Sequence, residues 1–274
     1  MNIENQVKKT IEKYKLLNKK DKVAVALSGG KDSMTALYLL KKFGYDVSGL
    51  MIDLHLGEWS EKNRKNAEKF CRELGVKLYL IDLRKELGSG ICFIKQVVKE
   101  KKGLTGCTVC GVIKKWVLNK WSKKFKFDKI ATGHNLDDEC HTVLMNFLKG
   151  NLILGLNSTP STGVPVKGFV QRIKPLFFVP EHYVLEYSKK MKFPVLYEKC
   201  PCAFNTYRVD TRAWMSEFND KEKLKIVQGF QKQIPNLRKK YNFGVQIQEC
   251  RVCGEPSRHE VCNACKIFEC LKKI

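Results

Sequence analysis

The stretch VAVALSGGKDSMTALYLL, residues 23–40, constrains the fold more than any other part of the chain. An apolar run from Val23 to Leu27 reads as a buried strand, and a helix follows that ends near Gly44. The two glycines between them let the backbone turn its N–H groups onto an anion, and the helix N-terminus adds the positive end of its dipole. Ser28, Lys31 and Ser33 add polar contacts, so the turn is a phosphate cradle. The spacing G-x-x-x-x-G-K-[ST] is absent, and Asp32 puts an acid where that loop would not want one.

The strand–turn–helix unit recurs. DVSGLMIDLHL predicts a second strand, EKNRKNAEKFCRELG a helix, and VKLYLID a third strand. A helix is expected after Gly111, a strand at DKIATG, and a helix through DECHTVLMNFLKG. Such alternation predicts an α/β fold, a doubly wound and mostly parallel sheet with ligands at the carboxyl ends of its strands. An amphipathic opening helix is expected over residues 3–18, with Ile3, Val7 and Ile11 on one face. Residues 151–168 read as a long loop, FVQRIKPLF as a further strand, and helices are expected at 180–191 and from about Val209 to Lys232. The boundaries expected are an N-terminal helix at 1–20, the nucleotide domain at 21–200, a helical part at 201–246 and a small zinc-ribbon-like module at 247–274.

Charge narrows the partner. Lys and Arg number 51 against 28 Asp and Glu, a net charge of +23. That excess points to a polyanion, with nucleic acid the obvious class. The opening helix, KKWVLNKWSKKFK and NLRKKYNFG interleave basic residues with aromatic ones, as RNA contact and base stacking require, although those aromatics also suit a core. Neither a targeting segment nor an apolar run of membrane-spanning length is legible, so a cytoplasmic protein without a membrane partner is expected.

The chain has 12 cysteines, which without a signal peptide argue for metal or redox chemistry. The terminal C-x2-C-x8-C-x2-C, Cys250, Cys253, Cys262 and Cys265, matches a structural zinc site, with His259 between the pairs an improbable substitute ligand. Cys107 and Cys110 form an earlier C-x2-C with Lys114 one helical turn on, and KCPCAF adds Cys200 and Cys202. These four allow a closed zinc site, a three-cysteine iron–sulfur site, or a persulfide or disulfide relay. Cys71, Cys92, Cys140 and Cys270 lie singly and are expected to be small core residues.

After the fourth strand, Asp137, Asp138 and Glu139 open a helix. One acid there suits the dipole alone, but three opposite a phosphate loop suggest Mg2+ coordination or handling of a substrate proton, with Asp138 the first choice and His134 a loop-fixing residue. Gly133 is expected to let a ligand approach the backbone. Ala26, Ser28, Gly29, Gly30, Lys31, Asp32, Ser33, Ile52, Asp53 and Gly133 make up the expected nucleotide contacts, with the backbone of Met51 and Ile52 facing the adenine edge.

SGGKDS resembles the PP-loop of ATP pyrophosphatases, which cleave between the α and β phosphates. The ordered series SGGKDS, CTVCGVIKK, TGHNLDDE, EKCP and the terminal four cysteines resembles the tRNA uridine 2-thiolation enzymes of the TtuA type, over about Lys22 to Leu271. Related to these are the archaeal and eukaryotic wobble-uridine thiolases. The resemblance implies a 4Fe-4S cluster on Cys107, Cys110 and Cys200, catalytic roles for Lys114 and Asp138, and zinc on the terminal cysteines. Such enzymes commonly begin with another zinc finger, whereas this sequence begins in the opening helix, which leaves tRNA docking and the target uridine open.

The implied activity is an ATP-dependent tRNA 2-thiouridine synthase. The uracil C2 oxygen is a poor leaving group, so adenylation converts it into one that sulfur can displace. Three thiolates on four irons leave one iron without a protein ligand, where external sulfide can bind; a fourth would close the site, and Cys202 is expected to be a bystander. Sulfide and a ubiquitin-like thiocarboxylate carrier are the two sulfur sources left open, and a homodimer is one option for assembly. The competing readings are another PP-loop enzyme, of amidotransferase, lysidine-forming or desulfuration type, and a zinc-ribbon nucleic-acid-binding protein with a vestigial ATP site.

Overall fold

Five parallel strands form the centre of the molecule: β1 (Lys22–Leu27), β2 (Asp46–Asp53), β3 (Leu78–Asp82), β4 (Lys129–Ala131) and β5 (Gln171–Ile173). This computed structural model describes residues 1–104, 106–162, 168–198, 200–202, 207–241 and 247–271. The strand order is β3-β2-β1-β4-β5, so the chain winds one way from β1 to β3 and then returns to the other side of β1. Between β1 and β4 the winding reverses, and at such a switch point a crevice opens beyond the carboxyl ends of the strands. The doubly wound parallel sheet expected from the sequence is therefore present.

Burial follows from that position. Val23, Ala24 and Val25 of β1 are fully buried, as a central strand covered on both faces requires. Val23, Val25 and Leu27 face a core built with α1 (Ile3–Lys13), α2 (Lys31–Lys42), α3 (Glu58–Glu73) and α9 (Glu181–Lys190). Ala24, on the opposite face, packs with α5 (Ile91–Lys102) and α6 (Gly106–Lys124). The opening helix stops earlier than expected, with Tyr14 as its C-cap, and Leu16 and Leu17 reach the core from the segment that follows.

Three differences from the sequence expectation bear on function. Residues 83–103, to which the pattern assigns nothing, hold the short helix α4 (Leu83–Leu87) and α5. Asp82 caps α4 by accepting from the N–H groups of Arg84 and Lys85. Helix α6 starts at Gly106, six residues before the Val112 start expected, so Cys107 and Cys110 lie one turn apart at its N-terminal end. Glycine inside a helix costs about 1 kcal/mol. Val109, Ile113 and Val117 recur every four residues and are fully buried, and each such side chain contributes about 1.5–3 kcal/mol, so packing outweighs Gly106 and Gly111. Thirdly, the expected loop at 151–168 contains the helical turn α8 (Leu152–Gly155) and a bridge from Ser161 to Ile173; its residues 163–167 lie outside the described residues.

Helix α7 (Leu136–Leu148) carries the acidic turn and is backed by α10 (Tyr207–Met215) and α11 (Asp220–Lys240), which share a core of Leu136, Cys140, Phe177, Met215 and Val227. Asn219 and Glu222 cap α11 reciprocally, and the helix continues past Pro235 to Lys240 rather than ending near Lys232. Ile234, next to the proline, stays buried, so tertiary contact sustains the helix where its ladder loses one bond. At the C-terminus, β6 (Gln248–Glu249) and β7 (Pro256–Ser257) pair antiparallel and α12 (Asn263–Glu269) follows. This unit docks on α6: Trp116 meets Phe268 edge-on at 5.1 Å, and the Asn119 amide donates to Glu255 at 2.6 Å. Trp116 and Trp121 are half-buried against core residues, which favours the core reading of these aromatics over base stacking. The Asn242–Gly244 part of the basic segment NLRKKYNFG lies outside the described residues. Among the described residues, no helix is long and apolar enough to cross a membrane.

Candidate active site

The turn after β1 is built as a cradle. Gly29 has φ +81°, and a Cβ there would stand 2.3 Å from the Asn63 side-chain oxygen, so both backbone strain and α3 exclude any other residue. Ser33, in the first turn of α2, accepts from the Ser28 N–H at 3.2 Å and donates to the Gly30 carbonyl at 3.0 Å, closing the loop on itself. Gly30 is the N-cap and supplies no side chain, so the first N–H groups of α2 stay available to an anion.

Lys31 points across the crevice. Its ammonium donates to Asp32 at 2.9 Å and to Glu181 of α9 at 2.7 Å. Burial works against this charge, but the two carboxylates hold its pKa above the ordinary value. Burial pushes the Asp32 carboxyl up, the Lys31 charge opposes that, and Asp138 raises it further. Glu181 was not legible as a partner, since a single acid in a helix's first turn is ordinary dipole chemistry.

The acidic turn splits into three different roles. Asn135 caps α7 by accepting from the Asp138 N–H at 3.1 Å, and its amide donates to Asp32 at 3.0 Å, linking this turn to the phosphate loop. The N-x-x-D spacing is a variant capping-box signal that could have singled out Asn135. Asp137 accepts from the Glu181 N–H and from Lys223, both at 2.7 Å, and Glu139 is buried against Lys174 and Ser158. These two acids organise α7, α9 and α11, so the expectation of three carboxylates on one metal or proton is corrected to one candidate. Asp138 is that one: it shares the crevice with Asp32 and accepts from Arg212 at 2.6 Å. His134 fixes its turn through a 2.9 Å hydrogen bond to Thr132. At Gly133 a Cβ would meet the Ser33 nitrogen at 2.6 Å, so the close approach there is to the phosphate loop's own backbone.

Register brings the remaining expected contacts level with the loop. Leu27 pairs with Met51, which sets Ser28 beside Ile52 and Asp53 at the carboxyl edge, with Ala26 one step inside against Leu50. Asp53 accepts from the His55 N–H at 2.9 Å. It also lines a cavity of about 870 Å3 over the ends of β2 and β3, together with His55, Ser60, Tyr79, Asp82 and Trp121. His55 and Asp82 are hydrogen-bonded at 2.7 Å.

The cysteines form two assemblies. Cys250, Cys253, Cys262 and Cys265 bring their sulfurs within 4.8 Å of one another. Three backbone N–H groups, from Cys262, Val252 and Cys253, outweigh burial and hold the Cys250 thiol down at about 6. The earlier set gathers round Lys95 of α5. Burial lowers the pKa of its ammonium, but the nearby sulfurs of Cys110, Cys202 and Cys92 hold it above the ordinary value. Cys200 accepts from the Cys202 N–H, and Cys107 Sγ lies 4.0 Å from the Cys202 carbonyl oxygen. Burial pushes the Cys200 thiol up. Cys71, Cys140 and Cys270 are buried as expected, but Cys92 is exposed, with partial burial and Cys202 as a neighbour pushing its thiol up. Lys114 is exposed on α6, one turn beyond Cys110. Neither Cys92 nor Lys95 stood in a recognised motif, although Ile91, Ile94 and Val98 of their segment recur at helical spacing and could have marked the helix.

A glycine cradle at the switch point, a lysine spanning it and an acid opposite define a nucleotide-binding protein of the PP-loop kind. The chain belongs to the PP-loop domain family, whose profile matches residues 1–197. It is 35% identical over 279 residues to a tRNA-5-methyluridine(54) 2-sulfurtransferase of Pyrococcus horikoshii, covering 99% of this chain and 86% of that protein. A tRNA-5-methyluridine(54) 2-sulfurtransferase of Thermus thermophilus is 30% identical, covering 96% and 81%. Among solved structures, the U34-tRNA thiolase NcsA from Methanococcus maripaludis with its [4Fe-4S] cluster superposes with a TM-score of 0.81 at 28% identity, covering 97% of this chain and 86% of that one.

Proposed function

We propose that this chain is an ATP-dependent tRNA 2-thiouridine synthase. The observation that carries the reading is the occurrence, in one chain related over nearly its whole length to tRNA 2-sulfurtransferases, of a formed phosphate cradle and a separate gathering of thiols outside the terminal cysteine group. ATP phosphates would take the place of Asp32 and Glu181 as partners of Lys31, while the loop and the α2 N-terminus hold the departing pyrophosphate. The uracil C2 oxygen attacks the α phosphate, and sulfide then displaces AMP. Asp138, linked to Asp32 through Asn135, orients Mg2+ or takes the N3 proton, and Lys114 neutralises charge at the α phosphate.

The thiols fit an iron–sulfur group better than a single zinc. Four thiolates on one tetrahedral zinc stand about 3.8 Å apart at a Zn–S bond length of about 2.3 Å, so they must be gathered almost into contact. Among the described residues only the terminal cysteines come within 4.8 Å of one another, so they are the ones that would hold zinc, and Cys107, Cys110 and Cys200 would hold a 4Fe-4S cluster. When bound by three thiolates, such a cluster supplies one iron open to sulfide. Cys107 and Cys110 would be kept on one side by α6, and the Cys202 N–H would orient Cys200. The net charge of +23 suits a tRNA substrate, and the name of the Anopheles gambiae relative, a cytoplasmic tRNA 2-thiolation protein, supports a cytoplasmic site.

The test is anaerobic reconstitution with iron and sulfide, metal quantification, and an assay of tRNA with ATP and sulfide, mapping 2-thiouridine to position 54 or 34. Zinc alone at both cysteine sites, or tRNA without new 2-thiouridine, would reject the reading.

A further inference from the structure

Asp138 is engaged before any substrate arrives. The Arg212 guanidinium donates to its carboxylate at 2.6 Å, and an acid held this way has its charge neutralised and one oxygen occupied. Neither a metal nor a substrate proton can take that oxygen until Arg212 moves. The arginine has room to do so, since its side chain is 49% exposed against 18% for Asp138. Its backbone is fixed instead. Thr211, the preceding residue of α10, is buried and hydrogen-bonded at 3.1 Å to the fully buried His141 of α7, so the base of the arginine stays beside the acidic turn while its head can swing.

The phosphate loop repeats the arrangement. Lys31 is held by Asp32 and Glu181, and the Asn135 amide, donating to Asp32 at 3.0 Å, joins that pair to the turn that carries Asp138. Both cations are thus paired with carboxylates of the same crevice. A magnesium nucleotide brings the complementary charges, anionic oxygens for the cations and a cation for the carboxylates, so a single exchange of partners satisfies both sets.

We propose that Arg212 is a catalytic residue: when ATP and Mg2+ enter, its guanidinium leaves Asp138 and binds the α phosphate. In adenylation the uracil oxygen forms a bond to the α phosphorus, the bond from that phosphorus to the bridging oxygen breaks, and pyrophosphate departs with the electron pair. Negative charge builds on the two nonbridging α oxygens, which the planar fork of an arginine can bind together. Asp138, released, is then available to Mg2+ or to the N3 proton. Arg212 rests on the thiolation reading for the reaction it serves, whereas its contact with the α phosphate is a property of nucleotide binding alone.

The test compares dissociation constants for AMP and adenosine in the presence of Mg2+. Arg212→Ala alone also exposes the Asp138 charge to the phosphate, so the informative comparison is Asp138→Asn with and without Arg212→Ala. The double variant should bind AMP at least about tenfold more weakly than Asp138→Asn and bind adenosine equally well. Arg212→Lys in the same background keeps the charge without the fork, and its AMP affinity should fall between the two. With Asp138 intact, Arg212→Ala should lower tRNA-dependent AMP formation from ATP by about 100-fold, with zinc content and melting temperature unchanged. Equal AMP affinity with and without Arg212, or an equal loss for adenosine, overturns the assignment. Protein in which Arg212 governs AMP affinity but tRNA gains no 2-thiouridine rejects the function instead, and leaves the Arg212 contact standing.

Discussion

The two cysteine assemblies share the C-x2-C spacing but differ in what the rest of the chain does around them. In the terminal module all four ligands come from one short segment, and their sulfurs converge within 4.8 Å. Cys262 caps α12, and the Cys262 and Cys265 N–H groups donate to the Cys250 and Cys262 sulfurs. Every sulfur has its geometry from local turns. Around Lys95, thiols arrive from α5, α6 and the Cys200–Cys202 segment, more than 90 residues from Cys107, and more of them gather than one metal centre needs. A closed, local set suits a structural ion, whereas an open set with partners to spare suits chemistry.

The sharpest way to break this contrast is to remove one ligand from each. Cys200→Ala should lower 2-thiouridine formation by at least about 1000-fold and strip iron while leaving zinc and the melting temperature unchanged, whereas Cys202→Ala with free sulfide should not; the reverse pattern would move the third ligand to Cys202. Lys31→Met, which takes the charge from the crevice but leaves both cysteine sites intact, should cost about 100-fold in turnover with metal content unaltered. Cys262→Ser should instead lose zinc and lower the melting temperature, with the iron retained; iron loss in step with zinc would join the two sites into one folding unit. Smallest of all, Glu255→Ala should destabilise the docked module by about 1–3 kcal/mol in denaturant titration, because it leaves the buried Asn119 amide without that acceptor and breaks the contact to the exposed Lys123. No change there would mean that Trp116 and Phe268 hold the module alone.

Much of this was legible because it is local. The strand, glycine turn and helix at Val23–Lys42, and the paired cysteines at Cys250–Cys265, announce themselves through spacing and backbone requirement. The acidic turn was legible as a place but not as a division of labour, since only tertiary partners separate Asp138 from Asp137 and Glu139. Helix α6 was misplaced by six residues for a like reason: glycine content is read from the sequence, but the burial that outweighs it depends on the sheet beneath.

The sequence by itself determined the α/β alternation, the phosphate cradle, the excess of basic residues and the terminal four-cysteine module, because each depends on period, composition or contacts within a few residues. Only the tertiary structure decided that Glu181 and Asp32 hold Lys31, that Asn135 joins the acidic turn to the phosphate loop, and that cysteines from three separate segments gather near Lys95. Those pairings span up to 150 residues of chain. Residue type states what such groups can do, but the winding of the sheet and the packing of its helices determine which of them meet.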